Sequence, residues 1–322
     1  MFRKLNPLVL FALLVVLLLA VVVIMRMDAR RQQGSFLREL ANADPAKTTD
    51  IKIIPRGMVE DAIHLERSNG EWMAGMHGNY FMADPELIER IFMIVSPMVP
   101  EQLVSKSTDV WVEYEVDDIS GTRVSLYEGK RLRSEFIVGG FQFQEQMIQG
   151  QQSPRINTYV RPASQDDVYT VPGFLSAAFP PDVNNYRYQV VTEISKGDIE
   201  KIEFSSGGPE DFSLHMEGIT WLINNSTADS LAANRFIDKI ANSTSNAFVE
   251  DKAEGWLSIP SHQIKVYRKT DVPVEILAYP ADTTHRFFIT SSQNPGSVFS
   301  GSKNDLFDNL FKPAAYFYGT GD

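Results

Sequence analysis

The chain writes nearly the same phrase twice, "HLERSNGEW" at residues 64–72 and "LHMEGITW" at residues 214–221. Each has a short run with apolar alternation, a turn pair and then a tryptophan. The turn pairs are Asn69-Gly70 and Glu217-Gly218. Asn-Gly between apolar runs is a strong hairpin signal, because both residues tolerate positive φ. Both phrases read as β-hairpins.

The surroundings repeat in the same order. "DIKIIP" (50–55) precedes the first hairpin as a strand, and "DIEKIEF" (198–204) precedes the second. A helix follows each. In "ADPELIERIFMIVSPM" Asp84 can cap, Pro85 suits the first helical position, and Leu87, Ile88, Ile91 and Ile94 recur at helical spacing. In "DSLAANRFIDKIAN" the apolar set is Leu231, Phe236, Ile237 and Ile240. A second hairpin comes next: "RVSLYEGKRLRSEFIVGG" around Glu128-Gly129 in the first half, "QIKVYRK" with "PVEILAYP" in the second, where "RFFIT" adds a strand. Asp50 matches Asp198 at an offset of 148, Trp72 matches Trp221 and Ile91 matches Ile240 at 149, and Tyr127 matches Tyr267 at 140. The offset shrinks because the second copy has shorter loops, which tolerate length change. "VYTVPGFLSAAF" and "VFSGSKNDLFDNLF" close the two copies.

This order predicts an internal duplication. Strands and a helix without a strict βαβ rhythm predict an α+β unit, a helix against an antiparallel sheet. The period is too long for a solenoid repeat. The expected domains are residues 49–192 and 193–322.

Ahead of them, "NPLVLFALLVVLLLAVVVIM" (6–25) carries no charge over 20 residues. That is the length a helix needs to cross a bilayer. A cleavable signal would have a shorter apolar run ending in small residues, whereas this one ends "VVVIMRMDARR". The expectation is an uncleaved transmembrane signal anchor at 6–25, a cytoplasmic tip at 1–5 and a polar stalk or linker at 26–48. Arg3 and Lys4 precede the span, while Arg26, Arg30, Arg31 and Arg38 follow it, so the positive-inside rule picks no side. The bulk of the chain is placed in the periplasm because N-terminal anchors of this kind are commonly translocated.

Composition excludes several function classes. The net charge of -11 argues against nucleic-acid binding, which needs Lys and Arg on phosphates. The absence of cysteine removes disulfides, thiolate chemistry, Cys-ligated zinc and a lipid-modified cysteine.

Several stretches together resemble the DUF4340 family of bacterial envelope proteins: "LERSNGEWM", "VWVEYEVDDISGTRVSLYEG", "FIVGG", "TYVRPASQDDVYTVPGF", and "NNYRYQVV" leading to "ISKGDIEKIEF". The resemblance covers nearly all of the chain after the apolar segment. It implies an outward-facing envelope protein associated with gliding-type ABC transporter auxiliary components, and it brings no catalytic residues. One departure is visible: Tyr186-Arg187 stands where the family pattern has Trp-Arg.

Candidate chemistry is sparse. His64, His77, His215, His262 and His285 show no metal-ligand spacing such as i, i+4. His64 and His215 occupy nearly equivalent repeat positions and read as ordinary strand histidines. Asp117-Asp118, Asp166-Asp167 and Glu250-Asp251 are chain neighbours, which does not make them an acid-base pair. No phosphate loop, dinucleotide fingerprint or G-x-S-x-G elbow occurs. No metal, cofactor or catalytic residue is expected. The most unusual stretch is "FIVGGFQFQEQMIQGQQSP", with a tight turn at Gly139-Gly140 and then a polar-aromatic insertion. Phe141, Phe143, Gln144, Met147 and Gln149 are the candidate partner-binding residues, because loops carry recognition and aromatics dominate hot spots. Trp72 and Trp221 are expected in cores, and Phe311, Tyr316, Phe317 and Tyr318 either on the core or on a partner.

The function expected is a non-enzymatic, membrane-anchored scaffold that binds other envelope proteins, such as an ABC-type transport or gliding/secretion assembly. One rival is an envelope hydrolase with a cleft between the copies, around Asp166, Asp167 or His262. Another is a module gripping a small ligand there in an apolar pocket.

Overall fold

A computed structural model describes residues 37–58, 61–148, 151–250, 257, 259–269 and 272–318. The predicted transmembrane segment at 6–25 lies outside the described residues. No helix among those described is long and apolar enough to cross a membrane. The described residues form two compact units, those within Met1–Thr48, Ile53–Val59 and Phe92–Phe179 in the first, and those within Thr49–Lys52, Glu60–Ile91 and Pro180–Asp322 in the second.

The fold is α+β, with antiparallel sheets and three α-helices among the described residues. The first half supplies β1 (Asp50–Ile54), β2 (Ile63–Ser68), β3 (Glu71–Met76), β4 (Asn79–Met82), helix α1 (Pro85–Val95), β5 (Gln102–Ser105), β6 (Thr122–Glu128), β7 (Arg131–Ile148), β8 (Gln151–Pro162) and β9 (Val168–Pro172). The second supplies β10 (Val190–Glu193), β11 (Ile199–Ser205), β12 (Phe212–Glu217), β13 (Thr220–Ile223), β14 (Ser226–Thr227), α2 (Ser230–Ala241), β15 (Asn242–Thr244), β16 (His262–Arg268), β17 (Val274–Pro280), β18 (Phe287–Ser291), β19 (Phe299–Ser300) and α3 (Leu306–Leu310). One sheet runs β4-β3-β2-β1-β6-β7-β8-β9-β5, and the other β14-β13-β12-β11-β16-β17-β18-β19. β10 and β15 pair separately.

Both quoted phrases are hairpins. Arg67 faces Trp72 across the first, and Met216 faces Trp221 across the second. Asn69, Gly70 and Gly218 take the positive φ these turns require. The tryptophans superpose the two ladders at an offset of 149. In that register His215 takes the place of Glu66 rather than of His64.

The helices start where the sequence puts them. Asp84 Oδ1 accepts from Glu86 N at 2.9 Å, and Asp229 Oδ1 from Ala232 N at 2.6 Å, each relieving an orphan donor of the first turn. α1 buries Leu87, Ile88, Ile91, Phe92 and Val95. α2 buries Phe236, Ile237 and Ile240. Leu231 is instead 60% exposed, so the apolar stripe of α2 is narrower than its sequence suggests. Phe236 meets Phe204 at 5.4 Å and Phe317 at 5.3 Å, and Phe204 stacks on Phe212 at 4.3 Å. The C-terminal aromatics divide accordingly: Phe317 is fully buried, Phe311 and Tyr316 pack on the core, and Tyr318 is 52% exposed.

Two further sequence expectations change. Residues 37–48, part of the predicted stalk, are attached rather than spacer-like. Leu40 N donates to Met98 O at 2.8 Å, Ala43 N to Val95 O at 3.0 Å, and Leu40, Ala41 and Ala43 are buried. Gly139-Gly140 is not a turn. β7 continues through it for 18 residues, and the register against β8 shifts between Val138 and Phe141, a β-bulge. Glycine is required there because a Cβ on Gly139 would lie 2.4 Å from Tyr114 O.

Candidate functional site

The predicted insertion is a hairpin arm made by the distal parts of β7 and β8. Phe141 and Phe143 alternate onto one face of β7, and Phe174, just past the end of β9, joins them. Ring centroids lie 5.3 Å apart for Phe141–Phe143 and 4.8 Å for Phe141–Phe174, both edge-to-face. Exposures of 44%, 67% and 46% leave this cluster open to solvent. At about 200 Å² of surface per aromatic side chain, roughly 300 Å² of contiguous apolar surface is exposed, the size of the largest patch on a typical monomer, which is often functional. Of the other predicted residues, Gln144 and Met147 are placed by register opposite Arg155 and Gln152. Gln149 lies outside the described residues.

Two buried arginines organise the rest. In the first unit Arg161 is 3% exposed. Its Nε donates to Val116 O at 2.9 Å, its Nη2 to Asp118 Oδ1 at 3.0 Å, and the guanidinium lies 3.7 Å from the Trp111 ring. Trp111 Nε1 donates to Asp166 O at 3.0 Å, and Tyr169 OH to Asp167 Oδ2 at 3.3 Å. Asp117 Oδ1 accepts from the backbone of Ile119 and Ser120, which holds its carboxyl below the ordinary range against an opposing effect of burial. The neighbouring carboxylates thus serve as local structural acceptors.

In the second unit Arg187 is 1% exposed. Its guanidinium sits 3.5 Å from the Phe81 ring and 3.7 Å from the Phe248 ring. It forms an ion pair with Glu250 and donates to Asn184 Oδ1 at 3.0 Å. Tyr186, fully buried, donates its hydroxyl to Pro180 O at 2.9 Å. The backbone here joins the first hairpin's edge, with Asp84 N donating to Tyr186 O and Tyr188 N to Met82 O, each at 2.8 Å.

The second unit also holds an apolar cleft of about 380 Å³ lined by Phe204, Phe212, His262, Phe307, Phe311 and Pro313, with Glu210 and Lys312 among its polar residues. His262 Nδ1 is 2.9 Å from Ser261 Oγ, and its ring meets Phe307 edge-on at 5.1 Å. Burial lowers its pKa, which favours the neutral imidazole.

One group among the described residues brings three ligand-type atoms within 4.8 Å of one another: Asp50 on β1, and His64 and Glu66 on β2. Burial raises the Asp50 carboxyl, opposed by His64. Tyr80 OH donates to Glu66 Oε1 at 2.9 Å, and burial together with that bond pushes the phenol up to about 12.

A family model described as a domain of unknown function, DUF4340, matches residues 72–258, more than half of the chain. The chain belongs to the DUF4340 family. No curated protein and no solved structure matches it. In this DUF4340 chain the Tyr186-Arg187 departure keeps a buried aromatic followed by a buried arginine. Sequence reasoning misses three features of the DUF4340 protein. Phe174 belongs with the arm aromatics, and its place in "VPGF" gives no sign of that. Arg161 and Arg187 carry no local signal of burial. The His64-x-Glu66 spacing has its meaning on a strand rather than a helix, because i and i+2 there share a face.

Proposed function

We propose that this DUF4340 chain is a non-enzymatic, membrane-anchored scaffold of the bacterial envelope, and that its arm aromatics dock on the apolar surface of a partner protein in the same membrane. The reading combines a single apolar anchor at 6–25 with the bulk of the chain on the periplasmic side of the inner membrane. It treats the domains at 49–192 and 193–322 as copies of one ancestral unit. The shared strand order of the two sheets supports that duplication, since each is four strands ending on its first strand, followed by the return hairpin. An ABC-type transport or gliding/secretion assembly is the partner that the family resemblance suggests.

The observation that carries the docking role is the exposed Phe141–Phe143–Phe174 cluster on an extended arm. Three aromatics left about half exposed side by side gain only part of the stabilisation a core would give them, whereas aromatic anchors supply most of the energy of protein contacts. A membrane partner is favoured because a tether confines the arm to the bilayer surface, where a small patch suffices at raised effective concentration. Crosslinking from native membranes tests this. The double variant Phe141→Ser/Phe143→Ser should lose the partner adduct that the parent chain forms, and an unchanged adduct would reject the arm. A reporter fused after Asp322 and active only in the cytoplasm would reject the orientation.

A second reading, small-ligand binding, is favoured by the cleft around His262, whose volume of about 380 Å³ falls within the range of ligand sites. It lies within one unit rather than between the two copies.

A further inference from the structure

On the outward face of β1 and β2, Asp50, His64 and Glu66 converge, and among the described residues the His64 imidazole is the cation-forming group within 4 Å of the two carboxylates. His64 Nδ1 lies 3.5 Å from Asp50 Oδ2 and 3.7 Å from Glu66 Oε1. Both approaches are longer than an ordinary hydrogen bond, and Nδ1 is shielded from solvent without a partner. A buried nitrogen in that condition is costly unless something else occupies the space between the three groups. Ligand atoms about 2.0–2.2 Å from a tetrahedral zinc-type ion stand about 3.4 Å apart. Two of the distances here are already close to that, so little side-chain movement would close the set.

The surrounding residues hold this arrangement in place. His64 and Glu66 alternate with the fully buried Ile63 and Leu65, so both must face outward. Thr49 O accepts from Arg67 N at 2.9 Å, which fixes β1 beside β2 and brings Asp50 into register. Gly75 lies opposite His64 in the ladder. A Cβ there would come within 2.5 Å of the Tyr80 ring, so only glycine lets Tyr80 cross β3 and reach Glu66. A tyrosine that donates to one carboxylate of the set is the kind of outer partner that orients metal ligands.

The second sheet offers an internal comparison. There Glu203 also accepts from a tyrosine, Tyr267 OH at 2.7 Å, but its other oxygen is taken by the Lys201 ammonium at 2.6 Å. The chain supplies its own cation at that place. In the first sheet the Glu66–Tyr80 pair, which joins β2 and β4 and is not the repeat counterpart of Glu203–Tyr267, has a second carboxylate and an imidazole nitrogen beside it, a donor set for a cation from outside.

We propose that Asp50, His64 and Glu66 bind one divalent first-row transition-metal ion of the zinc type, with Tyr80 holding Glu66 in place. One imidazole and two carboxylates suit such an ion, and three protein ligands leave a coordination position for water. Side-chain exposures of 22% for Asp50, 32% for His64 and 44% for Glu66 leave the ion an entry path from solvent. The site lies away from the arm aromatics in sequence and uses none of their residues.

The test is calorimetric titration of Zn2+ into the untagged full-length chain in detergent micelles after removal of metal with a chelator, with melting temperature read in parallel. One ion per chain is expected, together with a rise in melting temperature. His64→Gln and Glu66→Gln should abolish both, and Tyr80→Phe should weaken binding about 10- to 100-fold, as outer-partner losses do. The Gln variants keep a polar side chain of similar reach on a half-exposed face, and an unchanged metal-free melting temperature establishes that they fold. If one Gln variant melts early, the other and Tyr80→Phe decide. Absence of binding in the parent, or equal stoichiometry and affinity in the variants, overturns the site.

Discussion

Replacing Glu250 with alanine should destabilise the protein more than replacing Arg187 with methionine, although Glu250 is 49% exposed and Arg187 only 1%. In Arg187→Met the charge itself is removed. The thioether fits between Phe81 and Phe248, where sulfur–ring packing is favourable, and Glu250 is left to water. The two cation–π interactions that disappear are worth about 2 kcal/mol each when desolvated. Against that, burial of the guanidinium, costing several kcal/mol, is no longer required, so the net loss is about 1–2 kcal/mol. In Glu250→Ala the guanidinium stays buried without its carboxylate. Breaking a buried pair in this way costs about 3–5 kcal/mol. The low end, about 3 kcal/mol, applies because Glu250 is itself half-exposed and the pair only partly desolvated, and because the rings, Asn184 and the charge of Asp182 remain. Urea unfolding of the full-length chain in micelles, followed by tryptophan fluorescence, measures both. The double variant should lose little more than Arg187→Met alone, since the neighbour it removes is then redundant. An equal or smaller loss for Glu250→Ala than for Arg187→Met would refute the reasoning.

Two other substitutions read the core and its titration. Phe236→Ala should cost about 3–5 kcal/mol by opening a cavity between Phe204 and Phe317, while Leu231→Ala on the same helix should stay within about 0.5 kcal/mol, both read by denaturant midpoints. His262, whose pKa burial lowers from an ordinary value of 6.5, takes up its proton at a lower pH in the folded chain than in the unfolded one. Stability should therefore be steady above that value and fall as pH drops below it; melting curves from pH 8 to about pH 5 should show a smaller fall in His262→Phe.

Hairpins and helices were legible because each rests on a local rule. Alternation of period two placed Ile51, Ile53, Ile63 and Leu65 inward. Asn69-Gly70 fixed a turn that few other pairs could make. Asp84 and Asp229 marked helix starts. The pair Gly139-Gly140 misleads for a physical reason. A glycine pair reports that the backbone needs room or positive φ, and here the need is room for the Tyr114 carbonyl. Nothing within five residues of Gly139 announces Tyr114. Leu231 fits the helical period but sits at the edge of the stripe, where burial depends on neighbours that periodicity does not contain.

The functional features were less legible because each is made by residues distant in sequence. Phe174 joins Phe141 across β8, and Arg187 draws its two rings from Phe81 and Phe248. A charged residue in sequence is read as solvated, and that default fails where aromatic faces replace water around a guanidinium. The acidic-imidazole group shows the same limit from the opposite side. His64 and Glu66 are two letters apart, and a strand places such a pair on one face. Only the neighbouring strand could reveal that Asp50 faces them, and only the absence of a side chain at Gly75 lets Tyr80 reach across. Sheets bring together residues whose sequence separation is set by the hairpins, so in a fold built almost wholly of antiparallel ladders the chemistry lies in cross-strand register.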